Sequence, residues 1–248
     1  MRRRNFLQSR NPVMKEQTYM NSAQVIENAN AEKMTVSGAV NKTFLLALIM
    51  LATATYSFSA FNPIFVWVGA IGGLIAVLVA SFRPNLSPTL APVYAGLEGL
   101  FVGGISYMYA GVMNGIIFQA VTLTLAVLFM MLFIYRSGII KVTEKFRMGV
   151  FMATGAIFLV YMLNFVLAMF GINLPFLHEG GMVGIGISLV IIGVAALNLL
   201  LDFDNFEKGE KYGAPKYMEW FSAMGLIITL VWLYVEILRL LAILSSND

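Results

Sequence analysis

The sequence predicts an all-α polytopic membrane protein: a bundle of seven transmembrane helices, with the N-terminus cytoplasmic and the C-terminus outside. Three observations carry that expectation. Beyond residue 42, seven apolar stretches fill almost the whole chain, each close to the ~20 residues that cross bilayer hydrocarbon as a helix. Hydrophobic residues make up 59% of the 248 and charged residues 12%, which would leave a water-soluble domain with more apolar surface than it can bury. Apart from Arg239, Lys and Arg lie in the N-terminal segment and in alternate connections between the stretches.

The first stretch, 43–61, follows a segment holding Arg2, Arg3, Arg4, Arg10, Lys15, Lys33 and Lys42. The second, 64–82, is uncharged and is closed by Arg83. The third, 88–110, carries Glu98 in its middle, and the fourth, 115–135, is followed by Arg136, Lys141, Lys145 and Arg147. The fifth, 148–170, leads into a connection with His178 and Glu179. The sixth, 182–201, is followed by Asp202, Asp204, Lys208, Lys211 and Lys216, and the seventh, 218–244, carries Glu236 and Arg239. The first, third and fifth connections hold no Lys or Arg, so the positive-inside rule puts the N-terminus in the cytoplasm and the tail from Ser245 to Asp248 outside.

This divides the chain into a cytoplasmic arm, 1–42, and a membrane domain, 43–248. The arm lacks the apolar run of a secretory signal peptide and has weak helical character from Ser22 to Lys33. The net charge of +3 needs no nucleic-acid partner, because the basic residues stand where topology puts them. Cysteine is absent, which excludes disulfides, Cys-based metal sites and thiol nucleophiles. Short connections favour a single bundle, and no internal repeat of the transporter type is visible.

Ionisable residues inside or at the ends of spans are costly and point to partners, cavities or pathways. Glu98 lies mid-span with no charge in its own helix to neutralise it, beside the small-residue series Ala95, Gly99 and Gly103, where a second helix packs closely. Glu236 and Arg239 are three residues apart and share a helix face, as an ion pair or with Arg239 reaching toward the headgroups. Asp202 and Asp204 follow the sixth span, and counting from the span ends puts Asp202 level with Arg83, a spacing suited to an inner latch.

Arg83 closing the second span, Leu97-Glu98-Gly99 in the third, Leu200-Leu-Asp202-Phe-Asp204-Asn-Phe after the sixth and Leu233-Tyr-Val-Glu236-Ile-Leu-Arg in the last together resemble the transmembrane Bax inhibitor motif family, and the long arm resembles a bacterial subgroup of it. The resemblance covers the membrane region from about Lys42 to the C-terminus. It implies a central seventh helix and a pH-sensitive calcium leak across the bacterial plasma membrane. In that scheme acids of the sixth and seventh helices share a proton and work with the second-helix Arg to hold a pore shut, since two close carboxylates cannot both ionise cheaply.

Asp202 and Arg83 match those positions, with Asp204 beside them as part of the pH gate. The seventh-helix position falls on Glu236 by one alignment and on Thr229 by another. Glu236 and Arg239, with Glu98, are the candidate ion path, and Glu98, Glu236 and Asp202 are candidate weak calcium sites, because carboxylates suit a hard ion. Enzyme readings lack their residues: one histidine, His178, which lies in a connection, no lysine in the last span and no histidine inside any span. No cofactor is expected. The expected partners are lipid and calcium, with a second class open, a non-conducting regulator that binds another membrane protein such as a protease or secretion complex.

Overall fold

The structure is a computed structural model that describes residues 32–171 and 181–246; the arm through residue 31, the connection with His178 and Glu179, and the last two residues lie outside the described residues. Among the described residues there are seven α-helices: α1 Val36–Ser59, α2 Pro63–Phe82, α3 Ser87–Ala110, α4 Ile116–Ser137, α5 Glu144–Met169, α6 Met182–Lys211 and α7 Tyr217–Ser245. A 3-10 turn, Pro84–Leu86, joins α2 to α3. Six of these helices are long and apolar enough to cross a membrane. The exception is α3, whose prolines, glycines and Glu98 dilute its apolarity. Its 24 residues still span ~36 Å, and it packs along α1 and α2, so it crosses with them.

The helix starts follow local chemistry. Thr35 caps α1 by accepting from the Gly38 amide, Asn62 with Pro63 opens α2, and Thr143 accepts from the Phe146 amide to open α5. Two helices are longer than their apolar stretches. The first helix begins at Val36 and not at 43, so the last residues assigned to the arm are its first two turns. The sixth continues to Lys211 and not to 201, because backbone hydrogen bonding persists through polar turns that hydropathy does not register.

At the centre stands α7, which packs against α1, α3, α4 and α6. On one side of it Leu199, Leu200, Phe203, Met218, Leu233 and Ile237 form an apolar cluster, and on another Tyr94, Ala95, Ala223, Met224 and Ile227 form a second. The small-residue face of α3 receives α1: Gly99 meets Thr53 and the Met50 carbonyl, and Gly103 meets the backbone of Ala54. Gly69 of α2 packs likewise on the α3 backbone at Leu97 and Phe101, so these small residues serve internal packing.

Candidate functional site

Because α6 runs on to Lys211, Asp202 lies about 14 Å inside its end and within the bundle. Its carboxylate is buried, and Oδ2 accepts a hydrogen bond from the Thr229 hydroxyl of α7 at 2.7 Å. Gly225, one turn earlier on α7, lies beside Oδ1. The expected latch with Arg83 is not formed. Arg83 is exposed where α2 passes into the 3-10 turn, and among the described residues no cation pairs directly with Asp202.

Asp204, two residues on, points elsewhere. It pairs with Arg147 and, at 3.1 Å, with Lys208, which also reaches Glu144. Arg147 donates to Asn205 at 2.9 Å, and Tyr135 donates to Glu207 at 2.7 Å. This ionic belt ties α4, α5 and α6 together at the basic end, the cytoplasmic one by the positive-inside rule.

Toward the other end, Glu236 of α7 is buried and its neighbours come from three helices. Arg239 forms an ion pair with it at 3.2 Å, and the Tyr161 hydroxyl of α5 donates to it at 3.0 Å. Arg239 also donates to Tyr161 and, at 3.1 Å, to Ser188 of α6, and its guanidinium lies 5.8 Å from the Tyr161 ring centre. The pairing within the helix anticipated from the i, i+3 spacing is therefore present, inside a larger cluster that the spacing does not disclose. A carboxylate and a guanidinium this deep satisfy one another and draw in hydroxyls, which lowers the cost of holding both.

Glu98 stands apart. It is half-buried between α3 and α2, and its Oε2 fills the space left by Gly73 beside the Tyr94 ring. The structure thus brings Asp202 to Thr229 and Glu236 to Arg239, but it does not bring Glu98 to Glu236 or either of them to Asp202. Among the described residues no three His, Cys, Asp or Glu side chains converge on a point that would hold a metal. An apolar crevice of about 400 Å³ bounded by α1, α3, α4 and α7 lies against the opposite face of α7, lined by Ile227, Leu230, Val231 and Tyr234. An ion there would lose its hydration with almost nothing in exchange.

Sequence reasoning missed Glu219, at the start of α7. It is 1% exposed, pairs with Lys42 of α1 at 2.9 Å, and accepts from both the backbone amide (3.0 Å) and the hydroxyl (3.1 Å) of Thr35. Lys42 also lies 5.7 Å from the centre of the Trp220 ring. The available signal was one acid just inside the last apolar run and one base just before the first, at the same end of the bundle. Tyr161 and Ser188 were missed for want of any signal, since a lone hydroxyl in an apolar span is ordinary.

The chain thus presents a central last helix flanked by a buried acid of the sixth, Asp202, and carrying two of its own, Glu219 and Glu236. No curated protein matches it. The family model described as Bax inhibitor 1 like matches residues 11–246, and the chain belongs to that family of integral membrane proteins.

Proposed function

We propose that the protein is a leak pathway for calcium or a similar cation across a bacterial plasma membrane, closed in the arrangement described and gated along the α6–α7 face. The observation that carries this reading is Asp202: a carboxylate buried inside the bundle, held by one hydroxyl and paired with no cation among the described residues. A purely structural helix contact is made more cheaply without a charge. In this chain Thr229 takes the place of a second acid facing Asp202. The inner gate is then a single carboxylate with a hydroxyl donor. The cluster of Glu236, Arg239, Tyr161 and Ser188 is an outer gate about 10 Å further along α7, seven residues at 1.5 Å each. Carboxylates at separate depths make weak successive sites, which favour passage over capture. No enzymatic role and no cofactor belong to this reading.

The test is calcium flux into proteoliposomes, scanned from about pH 5.5 to 8, the range where perturbed membrane carboxyls titrate. Asp202→Asn is expected to flatten the pH dependence, and Thr229→Val to displace it. Glu98→Gln examines the second acid: reduced flux supports a path between α2 and α3, and unchanged flux confines conduction to the α6–α7 face. Absence of flux above empty liposomes at every pH refutes the leak and leaves the non-conducting regulator.

A further inference from the structure

Residues Glu32 to Val36 are docked, by contacts of several kinds, onto the connection between α6 and α7. Lys33 forms an antiparallel bridge with Pro215, the Met34 amide donates to the Ala214 carbonyl at 2.7 Å, and the Lys216 amide donates to the Glu32 carbonyl at 3.0 Å. Lys216 and Glu32 also pair through their side chains. Gly213 makes the turn that presents this edge, with φ +65°, a conformation L side chains rarely adopt. The Met34 side chain is 1% exposed. It sits over Gly209 of α6, where an added Cβ would stand 2.5 Å from its sulfur, and it belongs with Phe206 and Met218 to one apolar cluster. Buried Glu219 then pins this segment from α7 through Thr35 and Lys42.

Along α7 from Met218, steps of four, three and four residues place Ser222, Gly225 and Thr229 on one helix face. Gly225 and Thr229 are the residues that touch Asp202. Ser222, between them and Met218, is 7% exposed and its hydroxyl has no hydrogen-bond partner, a costly state for a buried donor. Ser222, Gly225 and Thr229 thus form a line of small and polar residues running from the basic end to Asp202.

We infer that Glu32–Val36 is a plug: Met34, seated against Gly209 and pinned by Glu219, closes the face that leads through Ser222 to Thr229 and Asp202, and its withdrawal admits water from the basic end. Its consequence for flux rests on the leak reading above, whereas water access does not. The two are tested separately.

The chain has no cysteine, so a single reporter suffices. Ser222→Cys in the full-length protein, in inside-out vesicles, is exposed to a membrane-impermeant thiol reagent, with Lys211→Cys as the exposed reference. Slow labelling of the Ser222→Cys protein is expected, rising roughly tenfold or more when Met34→Ala or Glu219→Gln is added, as a shift from a closed toward an open population requires. Should Glu219→Gln prevent folding, Met34→Ala alone decides. Labelling of Ser222→Cys as fast as Lys211→Cys, or a rate unchanged by Met34→Ala, overturns the plug whether or not the protein conducts calcium.

Discussion

α7 and α5 are both long apolar helices, of 29 and 26 residues, and hydropathy barely separates them, yet they hold opposite positions. Half of the apolar stretch of α7 is buried within the protein against 6% of that of α5. The central helix is the one that carries Glu219, Ser222, Thr229, Glu236 and Arg239. The peripheral one buries Val150 alone and turns Phe151, Phe158, Leu159 and Leu163 outward. In lipid an apolar side chain gains little by leaving the bilayer for a protein core, so apolarity does not mark the centre. Polar residues at helical spacing do, because they need partners. Among the described residues α5 packs on α6, and polar pins along its length hold it: Arg147 and Glu144 to the ionic belt at the basic end, Thr154 to Asn198 at 2.8 Å in the middle, and Tyr161 to Glu236 and Arg239 beyond.

This contrast is open to direct attack. The largest effect belongs to the packed centre. Leu233→Ala, at a fully buried position in α7, is expected to cost about 2 to 5 kcal/mol, measured by SDS-induced unfolding in bicelles; a cost below 1 kcal/mol would mean the site collapses and α7 is not a rigid core. A smaller loss attends the pins. Tyr161→Phe keeps the ring and removes the hydroxyl, and its coupling to Glu236 in a double-mutant cycle is expected at about 0.6 to 1.7 kcal/mol. The same substitution should free the outer half of α5, read as faster hydrogen exchange there and unchanged exchange in α7. Least of all, Phe158→Ala, on the lipid-facing side of α5, is expected within about 0.5 kcal/mol of the parent in the same unfolding assay. A loss there as large as that of Leu233→Ala would place a protein partner and not lipid against α5.

The candidate site was legible in unequal parts. Glu236 and Arg239 pair as their spacing requires, because both lie on one helix whose geometry is local. Asp202 was legible as an unusual acid, but its partner was not. Placing the end of the sixth span at 201 made it look interfacial and level with Arg83, whereas the helix continues and delivers it to Thr229. Glu98 was legible as an intramembrane charge, and its small-residue neighbours announced a close helix. That helix is α1, while the carboxylate itself turns to α2. Glu219 lay hidden among interfacial charges, since nothing in its neighbourhood tells a buried pin from a solvated one.

The amino-acid sequence by itself determined that this is a membrane protein of seven helices, which of its ends is basic, and which residues are too polar to face lipid, because each follows from transfer free energy and helical period over a few turns of chain. Only the tertiary structure decided that α7 is the hub, that Thr229 and not Arg83 meets Asp202, and that Met34 and Thr35 dock on Gly209 and Glu219. Those outcomes depend on the rotation of each helix about its axis and on contacts between different helices, from 27 residues apart for Asp202 and Thr229 to 184 for Thr35 and Glu219, where many side chains settle the fit together and no local pattern records the result.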